Sequence, residues 1–135
     1  MTIVQKIKLD ILRNPDALDL IIKSRWGKII TKDNIDEAYQ KILVDPEEHY
    51  DFEHEFRHGS VNTHIPCEWD RNYESRSVGT QLTDGTWIGW TYWYGGGKHG
   101  QPEAEEWMSK AYELEVEEEE KTVIIKTFTK KGNKK

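Results

Sequence analysis

Five residues, His54-Glu55-Phe56-Arg57-His58, match the H-E-x-x-H pattern in which two histidines hold zinc and the glutamate activates a bound water. His64 falls where the extended zinc-protease pattern has its third ligand. That chemistry needs both histidines on one helical face. The surrounding residues argue otherwise, because Tyr50, Phe52, His54 and Phe56 alternate with Asp51, Glu53, Glu55 and Arg57, the period of a half-buried strand. In a strand His54 and His58 lie about 13 Å apart at roughly 3.3 Å per residue. Zinc ligands bonded at about 2 Å lie within roughly 4 Å of one another. Position 61, glycine in the protease pattern, is Val61. The expectation is a strand over 50–57 with His54 an ordinary strand residue, no metal and no cofactor. His54, His58 and His64 stand as the alternative ligand set of a zinc-dependent hydrolase.

Gly95-Gly96-Gly97-Lys98-His99-Gly100 lies between a strand pattern and a helix start, the layout that cradles phosphate. The spacing is not that of a P-loop: the first required glycine is Tyr92, and His99 replaces the Ser/Thr. Glu103, Glu105 and Glu106 already neutralise the positive end of the expected helix. A plain connecting loop is expected, with Lys98 and His99 the best candidates if an anionic ligand binds.

Between these two motifs lies an aromatic hairpin. Asp84-Gly85 is a two-residue turn signal, since both residues tolerate positive φ. A turn there pairs Leu82 with Trp87, Thr80 with Gly89, Val78 with Thr91 and Arg76 with Trp93 on one side. On the other it pairs Gln81 with Ile88, Gly79 with Trp90, Ser77 with Tyr92 and Ser75 with Tyr94. Both faces then carry large aromatics, although an antiparallel sheet commonly has one wet side. Either both faces are covered, or one, carrying Trp90, Tyr92 and Tyr94, stays open as a recognition surface. A small-ligand pocket there would combine Arg76, Trp90, Tyr92, Tyr94, Lys98 and His99.

The remaining elements must position these residues. Thr2 and Gln5 form a capping-box pattern, followed by Ile3, Val4, Ile7 and Ile11 on one face. Asn14-Pro15-Asp16 starts a second helix carrying Leu18, Ile21, Ile22 and Trp26. A third begins near Asp33, with Ile35, Ala38, Tyr39, Ile42 and Leu43 as its stripe. An extended stretch from about Glu68 to Leu82 enters the hairpin, and Thr86 to Tyr94 returns. Pro102 opens an expected helix with Ala104, Trp107, Met108 and Ala111 on one face, and a last strand spans Lys121 to Thr129. The fold class is α+β: N-terminal helices, then an antiparallel sheet of about four strands with one helix before the last strand. Residues 1–129 are expected to make one domain and 130–135 a disordered lysine-rich tail.

The chain has 135 residues, net charge −6, six Trp, six Tyr and one cysteine, Cys67. The acidic balance weighs against direct nucleic-acid binding and favours a basic target. One cysteine excludes an intrachain disulfide. MTIVQKIKLDILR is not the uninterrupted apolar run of a signal peptide, and no apolar run approaches a membrane span, so a cytoplasmic, membrane-free location is expected. Residues 101–120 hold nine glutamates against one lysine, a solvated surface or an acidic face for a basic partner.

The stretch DGTWIGWTYWYGGGKHGQPEAEEWM, followed by EEEKTVIIKTF, covers much of the C-terminal third. In its aromatic and glycine spacing it resembles small uncharacterised proteins encoded by bacteriophages and prophages. The resemblance implies a non-enzymatic accessory protein that binds and modulates a host protein. A cytoplasmic, non-catalytic binding protein is therefore the leading expectation. A small-ligand or nucleotide-sequestering protein is the alternative, and a zinc hydrolase the third.

Overall fold

Thr2 opens the first helix, α1 (Ile3–Leu12), as the expected capping box: its hydroxyl accepts from Gln5 N, and Gln5 Oε1 accepts from Thr2 N. Asn14 then caps a single 3-10 turn (Pro15–Ala17) that runs into α2 (Leu18–Ser24). The third element, α3 (Ile35–Ile42), buries Ile35, Ala38, Tyr39 and Ile42, the stripe read from its spacing. Lys8 on α1 pairs with Asp36 on α3 at 2.9 Å across the exposed side of this contact. The computed structural model describes residues 1–131 except Lys121, Val123 and Ile125, and, of the side chains in α4, all but those at 46, 48 and 50.

The expected strand over 50–57 is instead the helix α4 (Pro46–Arg57). Asp45 caps it through a 2.9 Å bond from Glu47 N, and a proline stands at its start. Phe52 and Phe56, four apart, pack against the core from one side of the helix. The alternation of aromatics with charges fits a strand, but the cap and the four-residue spacing of these phenylalanines decide for a helix.

Four antiparallel strands follow in the order β1 (Val61–Asn62), β2 (Glu74–Gln81), β3 (Trp87–Tyr94) and β4 (Tyr112–Glu113). N-terminal helices followed by an antiparallel sheet make this an α+β fold. The extended stretch expected from Glu68 becomes regular strand only at Glu74.

The hairpin is real, but its register is one residue off the expectation. Leu82 N donates to Thr86 O at 2.8 Å and Gly85 N to Leu82 O at 2.9 Å, closing a three-residue loop of Thr83, Asp84 and Gly85. Gly85 supplies the positive φ, +92°, that this loop needs at its last position. Gln81 therefore faces Trp87, Thr80 faces Ile88, Gly79 faces Gly89, Val78 faces Trp90 and Arg76 faces Tyr92.

Ile88, Trp90 and Tyr92 turn toward the helices and join Ile7, Ile11, Leu12, Tyr39, Ile42 and Val78 in the core. On the opposite face the glycine pair makes a trough. A Cβ on Gly79 would stand 2.8 Å from the Leu114 side chain, and one on Gly89 3.0 Å from the Tyr112 ring.

The expected helix from Pro102 is reduced to one 3-10 turn, Pro102–Ala104. Glu105 is already extended, and beyond it Trp107 lies against Trp90 at 5.3 Å between ring centroids. Burying that indole outweighs the modest helix preference of an acidic stretch. The expected strand over 121–129 includes Lys121, Val123 and Ile125, which lie outside the described residues, as does most of the 130–135 tail. The described residues of that stretch are in no strand, and the strand that flanks β3 is Tyr112–Glu113. Among the described residues, no helix is long and apolar enough to cross a membrane.

Candidate binding sites on the two sides of α4

Because 50–57 is helical, His54 and His58 are not 13 Å apart: their rings meet edge to face, centroids 4.5 Å apart. Helical spacing thus supplies the first requirement of the H-E-x-x-H pattern. The remaining geometry does not assemble a metal site. His58 Nδ1 donates to the His54 carbonyl at 2.7 Å. A guanidinium nitrogen of Arg57 lies 3.4 Å from His54 Nδ1, placing a fixed positive charge beside the would-be ligands. Glu55 lies around the helix, lining a cleft with Asp10 and Asn14. His64 is exposed on a loop with left-handed backbone, φ 59°. Among the described residues, no three His, Cys, Asp or Glu side chains are grouped to hold a metal ion.

What the basic side of α4 does instead is fasten the helix to the sheet. Arg57 is only 4% exposed. It donates to the Trp93 carbonyl at 2.9 Å, and its guanidinium lies 4.8 Å over the Tyr92 ring. Trp90 Nε1 donates to the Arg57 carbonyl at 2.8 Å, so helix and strand are tied in both directions. Among the described residues Arg57 Nε has no partner, and a void of about 20 Å³ lined by Arg57, Glu53, His54, Glu103 and Trp107 has room for one water. His54 is held below the ordinary histidine pKa of 6.5, first by burial, then by His58 and Arg57, with Glu103 and Asp51 opposing.

The six residues expected to make a ligand pocket are divided by the fold. Arg76, Tyr92 and Tyr94 do come together: the exposed Arg76 guanidinium lies 5.2 Å from the Tyr92 ring and 5.6 Å from that of Tyr94. Trp90 is wholly buried in the core and offers no surface. Lys98 and His99 are exposed on the glycine loop. That loop is shaped by Tyr73, whose ring packs on Gly96 and whose hydroxyl accepts from Gln101 N at 3.3 Å.

A half-buried triangle joining α3 to the first half of α4 escaped sequence reasoning. Tyr39 OH donates to Glu53 Oε1, and His49 Nε2 lies 2.8 Å from that same oxygen and 3.0 Å from the phenol. Burial, followed by the Glu53 charge, pushes the Tyr39 hydroxyl far above its ordinary range, so it stays protonated and serves as a donor. His49 and Glu53 are four apart, a pairing that is legible only once the segment is known to be a helix.

The other side of α4 faces α2 across an open cleft of about 380 Å³. Asp16, Asp19 and Lys23 line one wall, Asp51 and Glu55 the other, with Leu20 and Phe52 between them. Phe52 and Glu55 also line a second cleft of about 220 Å³ that continues past Asp10 and Asn14 to Ser60 and Thr80. Asp10 is partly committed, accepting from Thr83 N at 3.1 Å. Leu18 and Ile22 on α2 are exposed. The result is a groove with an apolar floor, acidic walls and exposed apolar residues on one of its helices.

Compared with protein-family models, curated proteins and solved structures, the chain gives no match.

Proposed function

We propose that this chain is a non-catalytic binding protein whose recognition surface is the acidic groove between α2 and α4, and whose partner is a basic protein. The observation that carries the reading is the convergence of Asp16, Asp19, Asp51 and Glu55 around Leu20 and Phe52, opposed by Lys23 alone. Such a groove suits a segment that brings both lysine or arginine and apolar side chains. The net charge of −6 acts in the same direction over longer range, steering a basic partner and repelling nucleic acid. Exposed Leu18 and Ile22 add apolar surface of the kind a protein partner covers.

The partner is a host or cellular protein, and the role that of a phage accessory factor; the spacing of Asp84 to Phe128 supports this through the resemblance described above. We place the partnership in the cytoplasm, where a free, exposed cysteine such as Cys67 stays reduced.

The test is capture from a bacterial lysate with the wild type and with two charge-reversed variants. One carries Asp19→Lys and Glu55→Lys in the groove, the other Glu118→Lys and Glu119→Lys outside it. The expected result is one partner retained by the wild type and the second variant and lost from the first. Capture of no partner, or equal loss from both variants, overturns the reading.

A further inference from the structure

Where β3 carries Thr91 and Trp93, the loop after β1 and the stretch before β4 approach one another. They leave a cleft of about 290 Å³ walled by Trp93, Trp107 and Tyr112. Each aromatic is held by the fold. The Trp93 carbonyl is bound by Arg57, Trp107 packs on Trp90, and the Tyr112 ring lies on Gly89, where any side chain would push it away. A site whose walls are fixed before binding loses little freedom on occupation.

The charges in this cleft are Glu68, Glu106 and Lys110. Lys110, its one cation, pairs with Glu68 at 3.7 Å. Glu106 uses one oxygen to accept from Ser109 N at 3.1 Å, which leaves its second oxygen for a ligand. Trp93 and Trp107, 5% and 6% exposed, offer narrow strips of ring to the cleft, and these together with a spare carboxylate attract a cation and disfavour an anion. The cation must be weakly hydrated and partly apolar, because it has to shed water to meet the rings. Trp69, adjacent to Glu68 on the loop forming one wall, is 83% exposed, a large indole the fold leaves available. The volume lies at the low end for small-molecule sites, which suits a small ligand.

We infer that this cleft binds a small quaternary or alkylated ammonium ion, with Trp93, Trp107 and Tyr112 facing its methyl groups and Glu106 its charge. The inference is independent of the acidic groove, which lies beside α4 on the helical side of the molecule.

The experiment is a titration of the full chain with choline, and in parallel with tetramethylammonium, reading the six tryptophan indole N–H resonances. Saturable shifts are expected at Trp93 and Trp107 for both cations. The neutral carbon analogue of choline, 3,3-dimethylbutan-1-ol, is expected to bind at least tenfold more weakly, and Glu106→Gln to weaken choline severalfold with an unchanged unfolding midpoint. Tyr112→Leu provides a second variant with the same expected direction. Non-saturating shifts, equal binding of the neutral analogue, or wild-type affinity in both folded variants would each overturn the inference.

Discussion

The two sides of α4 carry opposite charge and are engaged to opposite degrees. On the basic side, His54, Arg57 and His58 are engaged by the fold: they bond the Trp93 and His54 carbonyls and make ring contacts with Tyr92 and with one another. On the acidic side, Asp51 and Glu55 face Asp16 and Asp19 across open space, and none of the four forms an ion pair among the described residues. The residues of a motif that looks catalytic are tied into the fold, while charges with no motif are the ones left without ion pairs among the described residues. Side-chain type nominates a site, but the partners each group already has decide whether it is free to act.

The sharpest challenge to this contrast is Arg57→Leu. It removes the bond to the buried Trp93 carbonyl and the contact with Tyr92, for an expected loss of about 2–4 kcal/mol in urea unfolding. Glu55→Ala should change stability by no more than about 0.5 kcal/mol. Equal costs would erase the distinction between the two sides.

Tyr39→Phe comes next. Leaving Glu53 without its phenol donor, and His49 Nε2 without the oxygen 3.0 Å away, should cost about 1–3 kcal/mol in the same assay. A neutral result would mean that the anchored character of α4 stops short of its first turns.

A smaller effect is expected from pH. Folded His54 binds its proton less readily than the unfolded chain, whose histidine titrates near 6.5. In the interval below 6.5 the unfolded state therefore holds more protons, so stability is full above that value and declines as pH falls through the lowered folded pKa. His54→Gln should flatten that decline in unfolding midpoints taken from pH 7.5 to about 5. A variant as pH-sensitive as the wild type would assign the effect elsewhere.

The smallest stability change belongs to Asp19→Lys with Glu55→Lys. Here the expectation is a shift within about 0.5 kcal/mol while partner capture is lost. Substantial unfolding of this variant would show that the acidic wall, too, serves the fold.

The N-terminal helices were legible because their signals are local. Thr2 with Gln5, Asn14 with Pro15, and the Ile35–Ala38–Tyr39–Ile42 stripe each state a cap or a face within a few residues. Around α4 two periods compete. Tyr50, Phe52, His54 and Phe56 satisfy an alternation of two, while Phe52 with Phe56 and His54 with His58 satisfy a spacing of four. The deciding cap at Asp45 lies outside the motif.

The hairpin's existence followed from Asp84-Gly85. Its register did not, since the same dipeptide also closes a three-residue loop with Gly85 in the left-handed position. Of the site, nothing local marks Arg57 for burial, and the acidic groove is assembled from helices far apart in the chain. Both are products of packing.

The bond from Arg57 to the Trp93 carbonyl has one more consequence. Trp87, whose carbonyl accepts from Leu114 N, and Trp93 stand an even number of residues apart, so both direct their carbonyls away from β2. Among the described residues, the β4 segment covers that edge from Trp87, through the Leu114 bond, to Gly89. Further along, the protection is a guanidinium rather than a strand. An open edge is where separate molecules add to one another's sheets, and a charge planted on it is a recurrent safeguard against that growth. With the Trp93 carbonyl already satisfied inside the molecule by the buried Arg57, this edge offers one acceptor fewer to the strand of another chain.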